Sequence, residues 1–177
     1  MAYGIVELLS VHAHNNDADI LTFVSADNIE NGSVFTLGDR VAGNEDQFAA
    51  VKPATDNLAK QFYMAASPIR VITTLGDDSQ FVDLTPNPKA FINVAGQPID
   101  GVALKIGDRV RLSADALGGT KGSNTAVVAT NADYKLNWGA AISGLTLTLL
   151  GTTYISVADG FGSQRVAAYD FIVSAIA

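Results

Sequence analysis

The sequence predicts an all-β protein, a small β-barrel or sandwich with an N-terminal extension of extra strands or an arm. Sixteen glycines and five prolines punctuate a chain rich in Thr, Val and Asn, the composition of short strands joined by turns. In segment after segment apolar residues recur at every second position, the period of a strand with one buried face. The clearest case is 101–117, where Val102, Leu104 and Ile106 alternate, Gly107-Asp108 interrupts, and Val110 and Leu112 resume with Arg109 and Arg111 between them.

That stretch reads as strand, tight turn, strand. Gly107 can take positive φ without a Cβ clash, and Asp108 tolerates left-handed geometry and can hydrogen-bond its own backbone. Leu104, Ile106, Val110 and Leu112 would then form a dry face, with Lys105, Arg109 and Arg111 on the wet one.

The remaining elements follow in order. Residues 5–11 suit a first strand or an extended arm, 12–19 a polar turn, and 20–24 a strand. Asn31-Gly32 is a strong reversal signal, followed by a strand over 33–37. Leu37-Gly38-Asp39-Arg40-Val41 nearly repeats Ile106-Gly107-Asp108-Arg109-Val110. We read this as Gly-Asp turn chemistry used twice rather than a duplication. Within 53–67, Leu58 and Phe62 suggest a short helix, whereas Phe62, Met64 and Ala66 alternate; the expectation is a loop to about Leu58 and a strand over 61–66. Residues 69–75 suit a strand and Gly76-Asp77-Asp78 a turn, while two prolines make 83–88 irregular. Residues 91–99 lead into the central stretch, 118–124 form a Gly-rich loop or lid, and 125–130, 134–137, 145–150, 152–157 and 166–173 are further strands. The division expected is an acidic N-terminal part, 1–66, and a β-barrel-like body, 67–177.

Composition narrows the chemistry. With no cysteine, disulfides, thiolate catalysis and cysteine-based metal sites are excluded. The first ten residues have no basic segment and Glu7 breaks their apolar run, a poor secretion signal. No apolar run is long enough to span a bilayer as a helix, so the expectation is a soluble protein made in a cytoplasm, with no membrane partner. The formal charge is −7, and through Val51 eight acids (Glu7, Asp17, Asp19, Asp27, Glu30, Asp39, Glu45, Asp46) face Arg40 alone. An acidic front and dispersed bases make nucleic acid an unfavourable partner.

No reactive centre is predicted: no catalytic, cofactor-binding or metal residue is assigned, and the expectation is a protein that is not an enzyme. His12-x-His14 is the sole histidine pair. On a strand both imidazoles would share a face, and Asp17 or Asp19 could complete a zinc or nickel site, but a polar turn with two exposed histidines is the commoner arrangement. A serine triad would need one of them, and no Gly-x-Ser-x-Gly elbow is present. Asp77-Asp78 sits in a turn rather than as a glycosidase pair, and Lys121 in its glycine-rich loop lacks phosphate-loop spacing. Trp138 could stack on a sugar, although a single aromatic among strands is more often core or interface.

Four features taken together, Asn31-Gly32-Ser33 at the head of a strand, Ala66-Ser67-Pro68, the 91–98 stretch with its Ala-Gly-Gln-Pro, and Leu104 to Leu117 around Gly107-Asp108, carry a resemblance. From about Asn28 onward the chain resembles head decoration, or cement, proteins of tailed bacteriophages. Residues 1–26 have no counterpart in that resemblance. It implies a non-enzymatic virion protein, made in the host bacterial cytoplasm, that binds the outer surface of a capsid and stabilises it. The partner implied is the major capsid protein, contacted mainly by the N-terminal extension and loops of the barrel, with a homo-oligomer, a trimer by preference, fitting local three-fold positions. A phage tail-tube or neck component and a carbohydrate-binding β module using Trp138 and the tyrosines are the alternatives.

Overall fold

Apolar alternation builds two layers that share a core. The computed structural model describes residues 2–15, 17–55, 60–69, 72–75, 79–82, 88–139, 144–159 and 162–176. Its strands are β1 (Val6–Ser10), β2 (Ile20–Val24), β3 (Val34–Arg40), β4 (Gln47–Val51), β5 (Phe62–Ala65), β6 (Ile72–Leu75) and β7 (Ser79–Val82). They continue with β8 (Pro98–Ala103), β9 (Arg109–Ser113), β10 (Leu117–Gly118), β11 (Ala126–Ala129), β12 (Leu136–Trp138), β13 (Thr146–Asp159) and β14 (Gly162–Ala175). The helical pieces among the described residues are short 3-10 turns, so the all-β class holds.

β2-β4-β3-β5-β8 close into a five-stranded barrel, and β1-β9-β14-β13-β11-β12-β10 form a seven-stranded sheet; β6 and β7 pair with each other. Strand β5 shows how the layers join. Its residues alternate: Phe62 and Met64 pack between barrel and sheet with Leu104, Val110, Leu112, Leu147 and Phe171, while Tyr63 and Ala65 fill the barrel with Phe23, Phe35 and Ile99. Val34 and Phe35 on β3, and Val102 and Ala103 on β8, divide the same way. All four residues of β5 are therefore buried. Each of the large side chains contributes about 1.5–3 kcal/mol by leaving water.

The barrel interior is tight. Phe23 lies 4.8 Å from both Phe35 and Tyr63, ring centre to ring centre, and a Cβ on Gly101 would fall 2.5 Å from the Phe23 ring. Glycine at 101 is what lets the ring in. Burial pushes the Tyr63 phenol above its ordinary pKa, with the charge of Asp19 adding to the effect.

The charge asymmetry along the chain is largely cancelled in space. Glu7 pairs with Arg111, Asp19 with Lys105, Asp27 with Lys52 and Glu30 with Lys135. Arg111 stands directly across from Glu7 on β1 and Asp170 on β14, with Nε donating to Asp170 at 2.7 Å and Nη1 to Glu7 at 3.1 Å. The hydrogen bond to Asp170 raises its pKa further, against the opposing effect of desolvation. Asp39, Glu45 and Asp46 stay exposed around the β3–β4 connection, with Arg40 exposed beside them.

Several sequence expectations need correction. Residues 101–117 are not a hairpin: β8 belongs to the barrel and β9 to the other sheet. Gly107 does take positive φ (+97°), and Leu104, Val110 and Leu112 are buried, but Ile106 is 61% exposed. The chain crosses between layers there, and a strand leaving one sheet shows the same alternation as a strand returning to it. Gly38-Asp39 is not a second turn either, for it lies within β3 at a register shift. There a Cβ on Gly38 would meet the Ala49 carbonyl oxygen at 2.7 Å, so close packing, not reversal, calls for glycine.

Nor does the fold divide at residue 66. The barrel takes strands from both sides of that point, since β8 closes it between β2 and β5, and the barrel lies in residues 20–103 rather than 67–177. The N-terminal segment is integral: β1 pairs with β9, Val11 and Ala13 are buried in the shared core, and β2 is a barrel strand. It supplies extra strands, not an arm. The strands expected at 145–150 and 152–157 are one element, β13, with a register shift between Leu149 and Gly151. Gly76-Asp77-Asp78, and 83–87 of the irregular stretch, lie outside the described residues.

Thr146 is 4% exposed, and its Oγ1 finds no hydrogen-bond partner among the described residues. A buried hydroxyl without a partner destabilises, so Thr146→Val is expected to raise the unfolding free energy by about 1 kcal/mol. Urea titration checks this, and a loss of stability would show that the hydroxyl is satisfied.

Candidate functional site

Three of the segments singled out in the sequence, 31–33, 66–68 and 91–98, meet in space around two buried asparagines. Asn31 is 6% and Asn93 5% exposed. Asn31 Nδ2 donates to the Ser67 carbonyl at 2.9 Å and its Oδ1 accepts from the Ser67 amide at 3.2 Å. Asn93 Nδ2 donates to Asn31 Oδ1 at 3.1 Å and to the Ile29 carbonyl at 3.0 Å. Buried amides with this many partners fix their neighbours in one arrangement. Ser67 Oγ in turn accepts the amide of Asp100 at 3.1 Å, which ties the 66–68 segment to β8.

Ser67, Asn93 and Asp100 of this network line a cleft of about 550 Å³ together with Pro68, Phe91, Ile92, Val94, Gln97 and Pro98. One wall is apolar: Phe91 and Ile92 are half-buried and Val94 is 52% exposed. The Val94–Gln97 reversal shapes its rim, with Gln97 N–H donating to the Val94 carbonyl at 3.1 Å and Gly96 at φ +78°. Asp100, half-buried on β8, lines the same cleft. Among the described residues its carboxylate has no hydrogen-bond or ion-pair partner. The cleft thus offers an apolar wall, a rim of polar backbone and a carboxylate that no base among the described residues pairs.

The histidine pair takes another place. His12 and His14 lie in a 3-10 turn, not a strand. His12 Nδ1 approaches Asp108 Oδ1 at 2.5 Å, and the His12 amide donates to the same oxygen at 2.9 Å. Asp108 Oδ2 accepts the Lys105 amide at 2.8 Å. The carboxylate is fully buried while the imidazole is 57% exposed. Asp108 is therefore a buried acceptor that joins the N-terminal turn to the β8–β9 crossing, a role its position beside Gly107 did not reveal in the sequence. A small pocket of about 170 Å³ lies beside it, with Ser10 in its wall, but no hydrogen bond among the described residues joins Ser10 to His12.

Asp19, the proposed co-ligand, is paired with Lys105; the side chain of Asp17 is outside the described ones. No group of three or more His, Asp or Glu side chains among the described residues is placed to hold a metal ion. Trp138 packs edge-on against Tyr169 at 5.2 Å and beside Phe171 at 5.6 Å, with Lys121 Nζ 5.7 Å from its ring centre. Tyr134 is likewise engaged, donating to the Ala50 carbonyl at 3.3 Å. Of the aromatics in the sugar-binding alternative, Trp138, Tyr134 and Tyr169 are thus held in packing contacts, whereas Tyr154 is 58% exposed. No helix among the described residues is long and apolar enough to cross a membrane. No family model matches the chain, and no curated protein or solved structure matches it.

Proposed function

We propose that the protein is a non-enzymatic decoration, or cement, protein of a tailed bacteriophage that binds the outer surface of the capsid and stabilises the shell. The observation that supports this reading is the convergence of 31–33, 66–68 and 91–98 on one hydrogen-bonded network beside the cleft. These segments carry the resemblance to decoration proteins, and they are bonded to one another through Asn31 and Asn93. A cement protein needs a rigid body that presents a shaped surface and many equivalent copies whose modest contacts sum by avidity. The shared core between barrel and sheet provides the rigidity. With the N-terminal segment built into both layers, the capsid contact moves from an arm to the surface around the cleft, and the partner is the major capsid protein.

The test is sedimentation of undecorated heads with the purified protein. Saturable co-sedimentation is expected, together with a higher temperature for disruption of the heads, since a ligand that binds only the assembled shell stabilises it. Folded protein that stays in the supernatant overturns the reading. Rings of the pure protein in negative stain would favour the tail-tube or neck alternative.

A further inference from the structure

We propose that the cleft beside Asp100 is a receptor for an extended, basic peptide segment, one that adds as a strand to residues 92–94 and places a Lys or Arg side chain on the Asp100 carboxylate. The proposal deepens the capsid-binding reading and rests on it for the partner's identity, but not for the chemistry.

Two independent observations carry it. The first is an open strand edge. Asn93 exchanges both backbone hydrogen bonds with Ile29, at 3.0 and 2.9 Å. Strand alternation turns the backbone groups of Ile92 and Val94 the other way. The Val94 carbonyl takes the Gln97 amide; the amide and carbonyl of Ile92 and the amide of Val94 have no protein partner among the described residues. An extended segment can satisfy all three, as in strand addition to a sheet edge.

The second is the charge. Asp100 is half-buried beside Pro68, Pro98 and Phe91 in the cleft wall. In the same chain Glu7, Asp19, Asp27 and Glu30 each hold a base, whereas no base among the described residues reaches Asp100. A carboxylate kept partly out of water without a counter-charge favours a cation, and the pyrrolidine and phenyl surfaces around it suit the methylene stem of Lys or Arg. An acidic or neutral segment could form the same backbone bonds but would leave Asp100 uncompensated. Charge therefore selects among segments that the edge alone would accept.

The experiment is an amide NMR titration of the full chain with two blocked tripeptides, acetyl-Val-Lys-Val-amide and acetyl-Val-Glu-Val-amide. Saturable shifts confined to residues 91–100 are expected with the lysine peptide at millimolar concentration, with affinity at least tenfold weaker for the glutamate peptide. Asp100→Asn should bring the lysine peptide down to the glutamate level, and Asp100→Glu should retain the preference. The Asp100 side chain bonds to no other described residue, and unchanged spectra away from the cleft establish that both variants are folded. Equal binding of the two peptides, shifts located elsewhere, or a preference that survives Asp100→Asn overturns the proposal. Lysine-peptide binding without head binding removes the capsid reading alone, and head binding that is unchanged by Asp100→Asn removes the cleft as the contact.

Discussion

Asp108→Ala is expected to lower the unfolding free energy by about 2–4 kcal/mol. The carboxylate is fully buried and accepts from the backbone amides of His12 and Lys105 and from the His12 ring. Truncation leaves two amides facing a space without an acceptor, and a buried polar group stripped of its partner costs about 1–3 kcal/mol. Asp108→Asn keeps one acceptor oxygen and should lose roughly half as much by the same reckoning. His12→Ala removes only the bond to an exposed ring and should cost about 1 kcal/mol or less. Equilibrium denaturation of the three variants gives the order Asp108→Ala, Asp108→Asn, His12→Ala. If His12→Ala matches Asp108→Ala, the exposed imidazole and not the backbone amides is what the carboxylate serves.

Phe23→Ala should cost about 3–5 kcal/mol, the range for emptying a large aromatic site in a closed core. Phe23 is fully buried and touches Phe35 and Tyr63 at 4.8 Å and Phe48 at 6.3 Å. Gly101 has no side chain with which to fill the void, and a closed barrel cannot collapse as an open sheet can. Against a usual total of about 5–15 kcal/mol, this is enough to unfold a measurable fraction at physiological temperature. Thermal and denaturant melts read the effect, with Leu150→Ala as the control, since Leu150 is 55% exposed and should change stability by no more than about 0.5 kcal/mol. A loss below about 1 kcal/mol for Phe23→Ala would mean that the barrel interior relaxes around the gap.

Period-2 patterning reported the strands well. Leu104, Val110 and Leu112 are buried as their alternation implies, Phe62 and Met64 alternate within β5 while Leu58 of the competing helical reading lies outside the described residues, and Gly107 takes positive φ. Alternation says which residues share a face, but not which sheet that face belongs to. For this reason β8 and β9 read as one hairpin although they lie in different layers, and Ile106, at the crossing between them, is exposed. The same ambiguity hid the barrel's closure by β8, whose partner β2 is more than 70 residues away in sequence.

The candidate site was visible in fragments only. Asn31-Gly32, Ser67-Pro68 and the Ala-Gly-Gln-Pro of 95–98 each look like ordinary turn chemistry. Their common purpose depends on hydrogen bonds spanning 36 and 62 residues, which no local pattern announces. Asp100 was less visible still, because that no base among the described residues pairs it can be recognised only once its spatial neighbours are known. His12 and His14 lie in an exposed polar turn, the commoner arrangement for such a pair, but the bond from His12 to Asp108, 96 residues away, had no local signal.

The way β3, β5 and β8 serve two cores at once has a consequence for how the molecule can come apart. Stripping the barrel away would expose Phe62, Met64 and Val102, and stripping the sheet away would uncover the same side chains from the other side. Neither portion keeps a sealed interior after such a cut, so the polypeptide has no natural point for dissection into autonomous fragments. Melting should proceed as a single all-or-none event, with barrel and sheet lost together.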